Sequence, residues 1–174
     1  ACASRTPAER SRLALPAPWA LGTAEPEMSP LKLWRASIAL HGRGHQRMAR
    51  LLQRLNTLMY GNSLSPRATV GPGLWLGHHA FGTVVQENVR IGADVTIWHN
   101  VTLEAGGDSA SSLTIEDGVK IGASAVIAAR PGQALRIGRG ARVGAGAVVN
   151  EDVPDGATAV AARTRVIEAE TDEV

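Results

Sequence analysis

The sequence predicts a mainly β fold, a left-handed parallel β-helix of hexapeptide repeats with a short N-terminal helical region. Three observations carry that expectation. An aliphatic residue recurs every sixth position, at Val70 and Leu76, then Val85, Ile91, Ile97 and Leu103, then Ile115, Ile121 and Ile127, then Ile137, Val143 and Val149. Gly follows most of these anchors, as in Ile91-Gly92, Ile121-Gly122 and Val143-Gly144. Aromatics make up only 3% of the chain while Gly numbers 19, which suits a narrow core filled by Val, Ile, Leu and Ala. A period of six fits neither a helix, with its repeat of about 3.6, nor a flat strand, with its repeat of about two. Three short β-branched strands joined by three tight corners close one triangular coil. Each coil buries its anchors only against a neighbour, so the array is cooperative and needs caps.

Taken in order, residues 1–28 are rich in Ala, Pro, Ser and Arg and show no sustained period; they read as a flexible leader. The start, Ala1-Cys2-Ala3-Ser4, has neither an initiator Met nor a signal-peptide core, which predicts a shortened N-terminus. Residues 29–61 form a helical segment. Ser29-Pro30 is a helix start, a capping hydroxyl followed by Pro at the first helical position, and Leu31, Trp34 and Ile38 share one face. Gly42 and Gly44 interrupt it. A second helix carries Met48, Leu51, Leu52, Leu55, Leu58 and Met59 as an amphipathic stripe, expected to pack on the β domain or on a neighbouring subunit. Gly61-Asn62 ends that helix. Residues 62–167 form the β-helix, with the turn from Asn150 to Gly156 beginning its exit, and residues 168–174 are an acidic tail.

Composition narrows the function. The formal charge is only +2, the basic residues are nearly all Arg, and no basic run is interleaved with aromatics, so nucleic acid is not an expected partner. No apolar stretch approaches the roughly 20 residues needed to span a bilayer, so neither is a membrane. Cys2 is the only cysteine, which excludes an intramolecular disulfide and makes the cytoplasm the expected compartment.

The period breaks in three places, and in a repeat protein such excursions tend to carry function. Leu76 and Val85 are nine apart, across Gly77-His78-His79-Ala80-Phe81-Gly82-Thr83. Between Leu103 and Ile115 the anchor expected at position 109 is Ser109, within residues 104–112. Ile127 and Ile137 are ten apart. The first of these breaks carries two histidines, His78 and His79.

The segment from Ser65 to Val85, the run Val101-Thr102-Leu103, and Val143-Gly144-Ala145-Gly146-Ala147-Val148-Val149 followed by Asp152-Val153-Pro154 resemble the serine O-acetyltransferase branch of the hexapeptide-repeat acyltransferases. The resemblance runs from about Arg35 to Ile167. It implies an acetyl-CoA-dependent transfer to L-serine, giving O-acetylserine for cysteine biosynthesis, with a His general base and direct attack on the thioester. It also implies a homotrimer with the site in a groove between neighbouring β-helices, and no metal. Counted from Val85 the base is His79, and His79-x-Phe81-Gly82 favours it; counted from Leu76 it is His78. Ala105, Ala123 and Ala145 match positions that leave backbone groups free for the pantetheine amides. Arg139, Arg142 and Arg165 are candidates for the CoA phosphates.

Several residues depart from the family pattern. Ser63 stands where the family has an acid that orients the base; a hydroxyl accepts a hydrogen bond but supplies no charge. The stretch ending Ser111-Ser112-Leu113 lacks the Arg-His pair that helps hold the amino acid, and Ala161-Ala162-Arg163-Thr164-Arg165 keeps only the final Arg of its motif. Another hydroxyl or amine acceptor in a specialised pathway is therefore an alternative, as is a non-catalytic assembly role. The tail from Glu168 to Val174 is acidic and ends in Val rather than Ile, which leaves docking to a sulfhydrylase partner weakly indicated. His99, after Trp98, could approach the groove or pack as a corner, and His41 and His45 look structural. A metal site of His78, His79 and His99 would resemble the γ-type carbonic anhydrases, whose His spacing is not reproduced.

Overall fold

The computed structural model describes residues 28–163, so Arg165 and the tail lie outside the described residues, as does most of the leader. Helix α1 (Pro30–Gly42) starts where expected. The Ser29 hydroxyl accepts from the Lys32 amide at 3.2 Å, and Pro30 occupies the first turn. Helix α2 (Gln46–Tyr60) ends on Gly61 at φ 62°, the left-handed conformation that Gly adopts without a Cβ penalty. Trp34 is 1% exposed and donates its indole N–H to the Ser65 carbonyl at 2.7 Å, which fastens α1 to the first coil.

The apolar stripe of α2 does not pack on the β domain of its own chain. Met48, Leu51, Leu55, Leu58 and Met59 are all exposed, Leu58 at 84%. The helix instead turns Ala49 and Asn56 inward, and the Asn56 amide donates to the Pro30 carbonyl at 3.0 Å. A small residue and a hydrogen-bonded amide let α1 and α2 approach closely, and the large side chains are left on the far side.

Among the described residues, the chain from Ser63 onward winds through fourteen short strands in three parallel sheets. The first sheet stacks β1 (Ser63–Leu64), β4 (Val84–Val85), β7 (Thr102–Ala105), β10 (Val126–Ala129) and β13 (Val148–Val149). The second stacks β2 (Thr69–Val70), β5 (Val89–Ile91), β8 (Ser112–Ile115) and β11 (Ala134–Ile137). The third stacks β3 (Trp75–Leu76), β6 (Thr96–Ile97), β9 (Lys120–Ile121), β12 (Arg142–Val143) and β14 (Thr158–Ala159). This is the left-handed β-solenoid of hexapeptide repeats. Anchors stack on anchors: Leu76 on Ile97 on Ile121 on Val143, and Val85 on Leu103 on Ile127 on Val149.

Leu64, six residues before Val70, begins the series and is 1% exposed. A second buried column runs two residues before the anchors, through Leu74, Val89, Val95, Val101, Leu113, Val119, Ala125, Leu135, Ala141 and Ala147. Asn62 and Thr83 are its buried polar members, ahead of Leu64 and Val85. Val70 and Leu76, in the first coil, are only partly buried.

The period breaks at Ser109, which is exposed, and the stretch from Leu103 to Ile115 runs through a lengthened corner between the first and second sheets, with β7 and β8 extended to four residues each. One expectation is corrected here: the exit comes later than the turn at residues 150–156. Val153 is 7% exposed and bridges Ile137, and β14 pairs with β12, so a fifth coil continues to Ala159. Arg136 ties this coil to its predecessors, binding Glu116 at 3.1 Å and Asp155 at 2.6 Å.

Candidate active site

The three breaks in the period do not share a place. The second and third both lie at the corner between the first and second sheets and are bonded to each other. The Gly132 amide donates to both Asp108 Oδ2 (3.1 Å) and Ser111 Oγ (2.8 Å), and the Ser112 amide donates to the Gln133 carbonyl at 3.1 Å. Asp108 also accepts from the Ser111 hydroxyl at 2.6 Å and from the amides of Ala110 and Ser111 at 3.0 and 2.7 Å. These bonds, the Ser111 hydroxyl first, hold its carboxyl below the ordinary 3.8. The loop is thus a closed turn.

The first break sits at another corner, between the third and first sheets. There the β3–β6–β9–β12 stack lines up the residues that follow each anchor. Two residues past Ile97, Ile121 and Val143 come His99, Ala123 and Ala145, which form one column. Phe81 continues it in the first coil, its carbonyl accepting from the Asn100 amide at 2.7 Å as those of His99 and Ala123 accept from Ser124 and Gly146, and the inserted His78 lies with its ring against His99 at the column's head. At about 4.8 Å per coil, that column is roughly 14 Å long. Its rear is sealed by close backbone stacking. A Cβ on Gly122 would stand 2.5 Å from the Ala145 amide nitrogen, so only Gly permits this coil spacing. The Gly146 amide donates to the Ala123 carbonyl at 2.9 Å. Small residues thus leave a shallow track running away from the histidines. The outward positions of the third sheet beside it carry Lys120 and Arg142.

At the head of the track the backbone is unusual. His78, His79 and Ala80 all have positive φ, at 49°, 57° and 56°. Three successive left-handed non-Gly residues are strained, and such strain gathers at functional sites. The conformation sends the two imidazoles in different directions. His78 lies edge to face with His99, ring centroids 4.8 Å apart, and 5.8 Å from Trp98. His79 stacks on Tyr60, at the end of α2, at 5.9 Å. Both are exposed, whereas His99 is half-buried and its Nδ1 has no hydrogen-bond partner among the described residues. An unpaired buried nitrogen costs about 1–3 kcal/mol. Trp98 crosses Trp75 at 5.3 Å, over Gly77.

Of the residues singled out from sequence, His78, Ala123 and Ala145 come together, with His99 joining them. Ser63 stands where the excursion rejoins the first sheet, its amide donating to the Thr83 carbonyl at 2.9 Å, and its hydroxyl bonds neither imidazole. Ala105 is buried at the end of β7 and lies with Ser63 in a separate recess of about 420 Å³ below α2, lined also by Gln53 and Gln86. Arg139 is on a third corner, 3.6 Å from Asp117, and Arg142 flanks the track. Among the described residues no group of three or more His, Cys, Asp or Glu side chains is arranged to hold a metal ion. No described helix is long and apolar enough to cross a membrane. His99 and Trp98 were the partners that sequence spacing signalled least. Their only mark was the shared offset from an anchor.

No family model matches this sequence. The chain is 35% identical over 151 residues to a serine acetyltransferase of Helicobacter pylori strain J99, covering 86% of this chain and 85% of that one. It is 32% identical over 135 residues to a putative colanic acid biosynthesis acetyltransferase of Escherichia coli K12, covering 77% and 80%. The structure of Neisseria gonorrhoeae serine acetyltransferase in complex with serine superposes with a TM-score of 0.65 at 34% identity, covering 74% of this chain and 52% of that one. Serine acetyltransferase from Brucella abortus in complex with coenzyme A gives 0.69 at 32% identity, covering 79% and 54%. This chain therefore spans about half the length of the solved enzymes it matches. Coil by coil and in sequence alike, it belongs to the serine acetyltransferase family of hexapeptide-repeat, left-handed β-helix acyltransferases.

Proposed function

We propose that this chain transfers an acetyl group from acetyl-CoA to an acceptor hydroxyl, with His78 as general base. The observation that carries this is the meeting of the His78 and His99 rings, 4.8 Å apart, at the head of the column that runs on through Ala123 and Ala145. The pantetheine arm would lie along the track, its amides meeting the backbone at Ala123 and Ala145. Lys120 and Arg142 beside it, and Arg165 from the C-terminal stretch, would meet the phosphates. His78 takes the hydroxyl proton as the oxygen attacks the thioester carbonyl carbon. The C–S bond breaks, and the sulfur leaves as the CoA thiol after receiving that proton. Holding both substrates in one groove adds a proximity contribution. The groove is completed in a homotrimer, and no acyl-enzyme forms.

L-Serine is the acceptor that the family relation supports. A second reading, another hydroxyl, is favoured by Ser63 in place of an acid and by the closed turn at residues 106–111, which carries no Arg or His.

Release of the CoA thiol tests the base. His78→Ala is expected to lower kcat by about 10²–10⁴-fold, and His79→Ala to leave it within a few-fold. A loss confined to His79→Ala moves the base to that residue, and wild-type kcat in both variants removes imidazole catalysis altogether.

A further inference from the structure

Charge is distributed unevenly over the three corners. The corner between the first and second sheets carries Arg67, Glu87, Asp108 and Arg130. The corner between the second and third sheets carries Asp94, Glu116, Asp117 and Arg139. The corner that holds His78 comprises residues 77–83, 98–101, 122–125, 144–147 and, in the fifth coil, 160–163; the only charged residue among these is Arg163, and the coils that carry His78 and His99 have none. The ion pairs Arg67–Glu87, Arg136–Glu116, Arg136–Asp155 and Arg139–Asp117 lie away from it.

What this corner offers instead is aromatic surface with neutral hydrogen-bonding groups. Trp98 is 41% exposed beside His78, and Phe81 is 65% exposed on the same excursion. Trp75 supports the Trp98 ring from below at 5.3 Å. Next along the chain, the Asn100 side-chain amide donates to the Ser124 hydroxyl at 3.0 Å, and both groups are exposed.

A free amino acid is a zwitterion, and its recognition needs a cation for the carboxylate and an acceptor or anion for the ammonium. The coils that carry His78 and His99 supply neither at this corner. A sugar ring asks for different partners: an apolar C–H face laid on an aromatic ring, and neutral amides and hydroxyls for its own hydroxyls. We infer that the acceptor hydroxyl is carried by a neutral sugar ring that stacks on Trp98, with Asn100 at its rim. This rests on the acetyl-transfer reading above and decides between its two acceptors.

The test measures CoA-thiol release by the full chain with L-serine and with the methyl glycosides of glucose, galactose and mannose. At least one glycoside is expected to exceed L-serine in kcat/KM. Trp98→Leu, which keeps bulk against Trp75 but removes the ring, is expected to raise that glycoside's KM by about tenfold or more. The KM for acetyl-CoA should move less than about twofold, and Trp98→Phe should recover most of the loss. L-Serine exceeding every glycoside, or an unchanged glycoside KM in Trp98→Leu, overturns the assignment while leaving acetyl transfer intact. Turnover of none of these acceptors by a protein that binds acetyl-CoA in calorimetry also overturns it. Failure to bind acetyl-CoA at all removes the underlying reading instead.

Discussion

His99 and Ala145 are 46 positions apart in sequence yet belong to one column, because each stands two residues past an anchor of the same sheet. Their roles differ in a way that substitution can separate. Ala145 is exposed, so a larger side chain there extends into the track rather than into the core. Ala145→Leu is expected to raise the KM for acetyl-CoA by about tenfold or more and to leave the thermal unfolding midpoint within a few degrees. An unchanged KM would take the pantetheine off this corner. Gly122 shows the opposite case, where a Cβ meets backbone at 2.5 Å and the cost falls on the fold. The hexad spacing made Ala123 and Ala145 visible as candidates. It did not separate them from Ala105, which has the same small side chain but lies at the end of a different sheet's strand.

The elements that interrupt the period are ordered by bonds the period does not encode. Asp108 is the hub of the corner at residues 106–111, taking hydrogen bonds from Ser111, Ala110 and Gly132. Its carboxyl is held below the ordinary 3.8. The stabilisation is thus present above the ordinary value and is lost as pH falls through the depressed one. Protection of the Ser111 and Gly132 amides, relative to unstructured amides at the same pH, should accordingly be high near pH 5 and be lost as pH falls through the depressed carboxyl value. Asp108→Ala should lack that protection throughout, and equal protection in wild type and variant would show that the turn holds without the carboxylate. From sequence this stretch read as an anchor gone missing at Ser109. A stack of strands tolerates a lengthened side only if the neighbouring coil lengthens beside it, and β10 and β11 do so.

For the whole molecule, the exposed row on α2 and the open corner at His78 both belong to a surface that one chain does not cover. Met48, Leu51, Leu55 and Leu58 recur at the spacing of a helix seam. The homotrimer proposed for the active groove predicts a three-chain particle by light scattering. A single-chain particle that binds acetyl-CoA with undiminished affinity would remove the intersubunit groove. The amphipathic pattern showed that α2 had an apolar face. It did not show which way that face would turn, since helix orientation is fixed by how closely α1 and α2 approach, and that depended on Ala49 and Asn56.

By itself, the sequence determined the solenoid, its two leading helices and the positions where the coils are interrupted. The reason is local. A six-residue period, a small residue at each corner and a capping Ser-Pro act over a few residues and leave little alternative. The tertiary structure alone decided what those interruptions meet. Stacking brought two of them together as one bonded corner and sent the third elsewhere. It placed His99 and Trp98 against His78 across a full coil, and it turned His79 onto Tyr60 through three left-handed residues. Contacts between coils depend on register, and register is settled only when every coil has been wound.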